Sequence, residues 1–277
     1  MTALEAHKVI GEGLQAIALR GQTILQTEDL LPSLGKSSIK SFEDYKNKVL
    51  IEPNAFTALR GFVPLVLSNF IRDILERRYV NPANWFNQGA GTQEDQNSVQ
   101  QRQFSKYASA PALGYSASLI LVNLIVHPFE VLRVQLSISM TKWKDENYIG
   151  MRKAAGNIVK SEGVSGLYRG FIPFTLFSLV HRNLIYDRAE RGQERDPKIE
   201  AKRFLCDLTL YPLIVIGTRM MVQPRNPNAN FKTLKGCCEG VYREFGWKGF
   251  YKGFWVTILF YQWDMLYILF DQAKRKF

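Results

Sequence analysis

The chain has 277 residues and a formal net charge of +11, with 36 Lys and Arg side chains against 25 Asp and Glu. Its mean hydropathy of −0.14 is typical of a soluble protein. Helices that line a wet cavity keep polar residues on one face, however, so this average does not exclude a membrane protein. The length fits one large domain, two small ones, or three repeats of about 90 residues each.

The cysteine, histidine and basic residues exclude several classes of function. The three cysteines form no C-x-x-C pair, which predicts no disulfide framework. The three histidines lie far apart in the sequence, so we expect no metal site. The basic residues concentrate near the ends of apolar segments and not on one element with interleaved aromatic residues. We therefore expect contacts with a membrane surface and no nucleic-acid partner.

The sequence also lacks the motifs of common enzymes. We find no phosphate loop, nucleophile elbow, cysteine–histidine pair or paired-carboxylate motif. We therefore expect that the protein is not an enzyme. The first eight residues are neither Arg-rich nor a basic stretch before an apolar core, so we also expect no cleavable targeting segment.

Apolar helices and short amphipathic helices alternate along the chain. The first part predicts apolar helices at about 6–26 and 62–78, followed by a polar loop rich in Gln and Asn at 81–106. The rest predicts two sets of an apolar, an amphipathic and a second apolar helix: 107–139, 148–160 and 171–189, then 198–223, 231–244 and 254–273. Each apolar helix is near the ~20 residues that a bilayer core demands.

Two landmarks recur at a nearly constant spacing. Pro128 and Gly170 are 42 residues apart, and Pro212 and Gly253 are 41 residues apart. Each glycine follows an aromatic and a basic residue, and a shorter version of this element ends at Gly61. Such self-similarity predicts repeated units, which we place at 1–100, 101–195 and 196–277. The predicted fold is all-α, with six transmembrane helices in three helix pairs and short amphipathic helices on one side.

These repeats resemble the mitochondrial carrier family, whose signature is P-x-[DE]-x-x-[KR], then [DE]-G, then an aromatic residue, a basic residue and Gly. The second repeat carries the whole pattern: Pro128, Glu130, Arg133, Glu162, Gly163, Tyr168, Arg169 and Gly170. The third repeat carries part of it: Pro212, Arg219, Gly246, Tyr251, Lys252 and Gly253. The resemblance implies a multi-pass protein of the mitochondrial inner membrane, with its amphipathic helices on the matrix side.

The family resemblance implies a gate on the matrix side that this chain does not fully keep. In the family, the acid and the base of the signature pair between neighbouring repeats. Here only the second repeat keeps both, as Glu130 and Arg133, whereas the third has Ile214 and Gly217 in their places. The first repeat also lacks both charges. A three-way ring of ion pairs therefore cannot form.

The gate on the opposite side is better preserved. In the family it consists of an aromatic residue, an acid and a base on the second helix of each repeat. The third repeat has Phe270, Asp271 and Lys274, and the second has Tyr186 and Asp187 without the base.

Two levels on the second helices are candidates for contact with a solute. The family's contact level, seven residues after each glycine, falls on Ser68, Phe177 and Phe260. None of these is a cation, so a nucleotide or a tricarboxylate would find no preformed cation at that depth.

A layer of ionisable residues follows eleven or twelve residues after each glycine. Its members are Arg72, Asp73, His181, Arg182 and Asp264. Ionisable groups within a membrane are candidates for function. Alternatively, these residues pair across repeats and hold the bundle together.

The aromatic–basic–Gly elements imply a lipid partner. In the family, a glycine at a helix start lets backbone amides approach the phosphates of cardiolipin, which the positive helix end attracts. The corresponding residues are Gly61, Tyr168, Arg169, Gly170, Tyr251, Lys252 and Gly253. We expect structural cardiolipin and no other cofactor. The alternative is that each glycine only permits a tight turn.

Two hypotheses of function remain open on these residues. The lost matrix-side charges favour a carrier-fold protein that acts as a structural or accessory subunit of a larger inner-membrane assembly, such as a respiratory one. The alternative is an active mitochondrial solute transporter or exchanger, whose substrate the sequence does not name. A soluble basic helical enzyme would need the catalytic motifs that are missing.

Overall fold

The computed structural model is helical in all of its described secondary structure. It describes residues 17–27, 61–76, 78, 109–138, 150–189, 197–222 and 233–258, except for the side chains at 109–113, 182–189 and 197–200. No strand occurs within these ranges, so the predicted all-α class is confirmed. The repeat boundaries stay a prediction.

The first repeat contributes two described helices. Helix α1 is described over 17–27, which overlaps the predicted helix at 6–26. Helix α2, Phe62–Leu75, starts directly after Gly61, as the glycine landmark predicts. Its α-helical part ends at Leu75, and residues 76 and 78 are π-helical, which fits the predicted end at 78. The polar loop predicted at 81–106 lies outside the described residues.

The second repeat follows the predicted order of elements. Helices α3, Ser109–Ser137, and α4, Met151–Glu162, differ from their predicted bounds by two or three residues. A short 3-10 helix, Val164–Tyr168, leads into α5, Phe171–Ala189, which has the predicted bounds. Pro128 lies inside α3, and the helix continues on both sides of it.

The third repeat has the same order. Helix α6 spans Pro197–Val222 and contains Pro212, and helix α7 spans Leu234–Phe245. Thr233 caps the start of α7, because its hydroxyl accepts a hydrogen bond from the backbone amide three residues later, at 3.1 Å. A 3-10 helix, Gly246–Tyr251, then leads to helix α8, which starts at residue 254 and is described to 258.

Two of the described helices are long and apolar enough to cross a membrane. The qualifying parts are Gly114–Ser137 in α3 and Ala201–Val222 in α6. Helix α4 and residues 164–181 would together qualify as a third span, but the chain bends by 115° between them. This bend separates α4, which buries Ala154 and Ile158 and exposes basic side chains, from the apolar start of α5.

Helix α3 has an exposed apolar face and a buried face that packs against its neighbours. Its exposed side chains include four large aliphatic ones: Ile120, Leu121, Leu124 and Ile125. Its buried apolar side chains pack against residues of both neighbouring helices: Ile71 and Leu75 on α2, and Leu179 on α5. Without a hydrophobic force between helices in lipid, such close packing and polar contacts hold a membrane bundle together. Helix α3 therefore lies between α2 and α5.

The C-terminal ends of α3 and α6 meet in one apolar core. This core includes Val134, Leu136 and Ile138 from α3, and Ile216, Met221 and Val222 from α6. The amphipathic helices cover the core with their buried faces, through Ala154 and Ile158 of α4 and Cys237 and Val241 of α7. The first helices of the second and third repeats thus converge where the amphipathic helices lie.

A glycine with positive φ starts the second helix of each repeat and touches the next repeat. A Cβ placed on Gly61 (φ 87°) would lie 3.0 Å from the carbonyl oxygen of Arg133 on α3. A Cβ placed on Gly170 (φ 69°) would lie 2.6 Å from the carbonyl oxygen of Gly217 on α6. These are two equivalent contacts, because Arg133 and Gly217 each follow a repeat's landmark proline by five residues.

The third glycine closes the ring of contacts. Gly253 (φ 78°) faces α1, where a Cβ would lie 3.3 Å from the carbonyl oxygen of Gln22. Repeat one therefore contacts repeat two, repeat two contacts repeat three, and repeat three contacts repeat one. The contacts between the repeats therefore form a closed ring.

We expect Gly170→Ala to destabilise the protein strongly. A residue other than glycine at this φ costs about 1–2 kcal/mol, and the clash with the α6 backbone adds about 1–3 kcal/mol. The matched control is Gly156→Ala within α4, where a Cβ meets nothing within 4 Å. That change should stabilise the helix by about 0.5–1 kcal/mol. Thermal unfolding in detergent measures both, and a Gly170→Ala midpoint at the wild-type value would contradict the close contact.

Candidate functional site: polar joints between the repeats

The signature charges of the second repeat pair with each other. Arg133 Nε donates a hydrogen bond to Glu130 Oε2 at 2.8 Å, one turn away on the same helix. The side chain of Ser68, on α2, lies beside Glu130. Among the described residues, Arg133 Nη1 has no hydrogen-bond partner. This pair therefore lies where α2 contacts α3. The acid pairs with a base on its own helix and not with a base of a neighbouring repeat.

In the third repeat, the position of the signature base is used for backbone packing. Gly217 replaces the base, and its carbonyl oxygen is the atom that Gly170 approaches. Arg219, two residues later, is fully buried, and its guanidinium carbon lies 5.4 Å from the ring centroid of Phe245. Because a guanidinium is attracted to an aromatic face, this contact stabilises a cation away from water.

Two members of the predicted ionisable layer lie at equivalent joints between repeats. Arg72 Nη1 on α2 donates a hydrogen bond to Asn123 Oδ1 on α3 at 3.0 Å. His181 Nε2 on α5 lies 3.0 Å from Asp207 Oδ1 on α6. Arg72 and His181 each follow a landmark glycine by eleven residues, and their partners each precede a landmark proline by five. The repeat thus places the same polar joint at the same depth twice.

The remaining members of that layer are placed less completely. Arg72 also lies 3.8 Å from Glu76 on its own helix. Asp73 is exposed. The side chain of Arg182 and the whole of Asp264 lie outside the described residues. Both described joints connect different repeats, which is compatible with either the polar-site hypothesis or the pairing hypothesis.

The predicted contact level lies one turn from these joints. Ser68 is buried, and its hydroxyl donates to the carbonyl of Leu65 at 2.9 Å. Phe177 stacks on His181, with ring centroids 5.2 Å apart. Phe260 lies outside the described residues. In the two described repeats, the contact level therefore borders the ionisable layer instead of carrying a cation of its own.

The predicted gate on the opposite side lies outside the part of the chain whose side chains the structure describes. The side chains of Tyr186 and Asp187 lie outside the described residues, as do Phe270, Asp271 and Lys274.

The polar aromatic side chain directly before each landmark proline makes a hydrogen bond to the residue just before the landmark glycine of the same repeat. His127 Nε2 lies 2.8 Å from the carbonyl oxygen of Arg169, 42 residues later. Since a carbonyl oxygen only accepts, this nitrogen carries the proton. In the third repeat, the Tyr211 hydroxyl donates to the carbonyl oxygen of Lys252 at 2.9 Å, 41 residues later. Sequence reasoning missed this contact, although a polar ring precedes both prolines at the repeat spacing.

Aromatic contacts stabilise these two hydrogen-bonded side chains in the same way. His127 stacks on Tyr168 at 6.3 Å and meets Phe171 edge-on at 5.3 Å. Tyr211 stacks on Tyr251 at 6.2 Å and meets Phe254 edge-on at 4.9 Å. The aromatic residue of each aromatic–basic–Gly element is thus part of a three-ring cluster that fixes the start of the following helix.

The joint between the third and first repeats carries the richest polar network. The Tyr211 hydroxyl accepts hydrogen bonds from Gln22 Nε2 at 3.1 Å and from Gln26 Nε2 at 3.0 Å. Gln22 also lies 3.4 Å from the hydroxyl of Thr257 on α8. These contacts bind α1 to α6 and α8 beside the Gly253 contact.

A cavity of about 560 Å³ lies between the second and third repeats. Its lining includes Arg169, Gly170 and Phe171 at the start of α5, and Thr233 and Leu234 at the start of α7. Two helix starts therefore border one space, and the positive end of a helix favours an anion.

The bend before α5 is braced by a charged pair. Arg169 Nη2 lies 2.7 Å from Glu162 Oε2 at the end of α4. Burial raises the pKa of Glu162, and the Arg169 charge opposes this effect. In the third repeat, Phe245 replaces the acid, and Lys252 Nζ lies 3.5 Å from the ring centroid. A cation–π contact thus takes the place of the ion pair.

Comparison with known proteins decides the family. Residues 105–186 and 203–277, more than half of the chain, match the family described as mitochondrial carrier protein. The chain belongs to the mitochondrial carrier family. The predicted family and the six-helix fold that it implies are thus confirmed.

Several relatives of this carrier are named after the solutes they carry. It is 22% identical over 263 residues to a probable ADP,ATP carrier protein of Arabidopsis thaliana, which covers 84% of the chain and 75% of the relative. It is 27% identical over 167 residues to ADP/ATP translocase 2 of Tachyglossus aculeatus aculeatus, which covers 54% and 56%. It is 26% identical over 167 residues to the mitochondrial thiamine pyrophosphate carrier of Macaca fascicularis, which covers 53% and 52%. The chain thus spans about half the length of the last two relatives.

We expect Tyr211→Phe to destabilise this carrier by about 1–3 kcal/mol, because the change keeps the ring and removes the hydroxyl that Gln22 and Gln26 use. The matched control is Tyr242→Phe, because that ring is 54% exposed. Thermal unfolding in detergent measures both variants. If the two midpoints are equal, the Tyr211 network does not hold the joint between the third and first repeats.

Proposed function

We propose that this carrier is a multi-pass solute transporter of the mitochondrial inner membrane, which exchanges a small charged solute. The observation that carries the proposal is the repeated polar joint, Arg72–Asn123 and His181–Asp207, within a chain whose relatives are named as carriers. Ionisable groups inside a membrane are costly, and their usual use is a solute or proton pathway. The relatives favour transport over the accessory-subunit hypothesis.

The accessory-subunit hypothesis rested on lost matrix-side charges. The repeats nevertheless keep their ring of glycine contacts, and the missing brace in the third repeat is replaced by the Lys252–Phe245 contact. A repeat can therefore lose a signature charge and still keep its contacts with the neighbouring repeats. These kept contacts support the transport proposal.

The polar joints offer the solute both kinds of charge. The Arg72 guanidinium presents a planar fork of donors that matches a phosphate or a carboxylate. At the equivalent joint, Asp207 presents an acceptor beside His181. The relatives named after ADP, ATP and thiamine pyrophosphate suggest a phosphorylated solute as the first class to test.

We expect Arg72→Gln to reduce exchange at least tenfold in proteoliposomes that contain the full chain. ADP, ATP and thiamine pyrophosphate are the first labelled solutes, followed by carboxylates and amino acids. Glutamine keeps a donor for Asn123 and removes the charge. The matched control is Arg243→Gln on the exposed face of α7, which removes one charge elsewhere and should exchange normally.

Two outcomes would contradict these proposals. The accessory-subunit hypothesis would be supported if the folded wild-type protein exchanged none of these solutes and migrated on native gels with a large inner-membrane complex. Equal exchange by Arg72→Gln and Arg243→Gln would remove Arg72 from the solute site.

We further propose that the cavity between the second and third repeats binds cardiolipin. The starts of α5 and α7 at its lining support this assignment, because the positive end of a helix attracts an anion. Arg169 also lines the cavity, where it pairs with Glu162. The equivalent elements at Gly61, Tyr251, Lys252 and Gly253 are candidates for further lipid sites.

We expect cardiolipin to raise the unfolding temperature of the detergent-solubilised protein by several degrees, and phosphatidylcholine to raise it less. Ile172→Glu should abolish this difference, because residue 172 lines the cavity and an acid there repels phosphate. The matched control is Val164→Glu, since that side chain is similarly exposed (63% against 67%) but lies outside the lining. Equal cardiolipin effects in the two variants would exclude this cavity.

A further inference from the structure

The matrix-side end of the bundle holds two hydrogen bonds between the first helices of successive repeats. Arg20 Nε on α1 donates to the carbonyl oxygen of Ser137 on α3 at 3.1 Å. Gln135 Nε2 on α3 donates to the carbonyl oxygen of Met221 on α6 at 2.5 Å. Each bond joins helices that no short connection links, and the direction is the same: repeat one to two, then two to three.

The two acceptors are equivalent in the repeat. Ser137 and Met221 each follow their landmark proline by nine residues. They lie in the last turn of α3 and α6, which end at residues 137 and 222. Carbonyl groups in a last turn have no partner within their helix, and the helix end carries a partial negative charge. Such an end is a natural acceptor for a cation or an amide from a neighbour.

The four residues that make these bonds are buried. Arg20 and Gln135 are each 1% exposed, and Ser137 and Met221 are 1% and 3% exposed. A buried guanidinium needs hydrogen-bond acceptors, and the Ser137 carbonyl is one that Arg20 uses at this end of the bundle. The site therefore excludes water at the level where the family places its ring of ion pairs.

The signature charges do not form that ring here. Glu130 and Arg133 bond to each other on one helix, and the third repeat has Ile214 and Gly217 instead. The described contacts that cross between first helices at this level include the two bonds to carbonyl oxygens. We infer that Arg20 and Gln135 form the matrix-side closure of this carrier, by bonding to the end carbonyls of the next repeat's first helix.

This inference rests on the proposed transport function, because a transporter must open and reform the closure. Opening moves the first helices apart and breaks both bonds. Neither acceptor is a side chain, so these two bonds need no acid on the neighbouring repeat. The Arg20 bond is charge-assisted and is the stronger of the two. Removing either donor shifts the population toward the state that is open on this side.

The test measures leakage, which does not need a known solute. The full chain is reconstituted in planar bilayers, and its conductance is recorded in potassium chloride. We expect Arg20→Met and Gln135→Met each to raise the conductance per protein at least tenfold over wild type. Arg20→Lys should stay near wild type, because lysine keeps the charge and the donor. If Arg20→Met does not fold, Gln135→Met decides alone, since it removes only a neutral group.

The matched control is Thr23→Val on α1. Thr23 is buried like Arg20, but its hydroxyl donates within its own helix, to the carbonyl of Leu19 at 2.7 Å. Its conductance should equal that of the wild type. Thermal unfolding of every variant verifies that the bundle is folded.

The outcomes separate this inference from the proposed function. Folded Met variants with wild-type conductance would overturn the closure, even if the wild type exchanges a solute. Raised conductance in both Met variants and not in Thr23→Val would support the closure, even if the wild type exchanges no solute in the panel.

Discussion

The close approach of three glycines to the backbone of a neighbouring helix is the constraint on which the rest of the structure depends. Gly61, Gly170 and Gly253 each have positive φ at the start of a helix and face the first helix of the next repeat. Close backbone approach is how helices associate in lipid, where apolar burial gives no advantage. Because the contacts run in a circle, each repeat is placed by both of its neighbours. The side chains that form the polar joints can then meet at the same depth.

Spacing in the sequence predicts the repeat well, and it predicts the chemistry of the joints poorly. The bounds of α5 follow directly from the Gly170 landmark, since the glycine fixes where the helix starts. The bond from His127 to the carbonyl of Arg169 does not follow from the signature. Every residue has a carbonyl group, so a backbone acceptor leaves no mark in the amino-acid sequence. Equivalent positions in the first repeat follow least directly from the sequence, because it has no landmark proline from which to count.

The missing charges of the third repeat also show that the sequence predicts these contacts poorly. A signature match counts acids and bases, so Phe245 in place of the expected acid reads as a loss. In the structure, the Lys252 ammonium lies over that ring, and the bend before α8 keeps a brace. The attraction between a cation and an aromatic face differs from an ion pair in chemistry, but it links the same two elements. Conserved geometry can therefore coexist with a degenerate motif.

The three joints differ in strength, and this asymmetry bears on how the bundle can move. The joint of the third and first repeats combines Gly253 with the Tyr211, Gln22 and Gln26 network. The joint of the second and third repeats combines the backbone contact of Gly170 and Gly217 with the His181–Asp207 pair and the bond from Gln135 to the carbonyl of Met221. A buried network of neutral amides and a hydroxyl must break as a unit, whereas a histidine–aspartate pair that is part-exposed can exchange its partners for water. The repeats are therefore equivalent in their backbone contacts and unequal in the side chains that an opening motion has to separate.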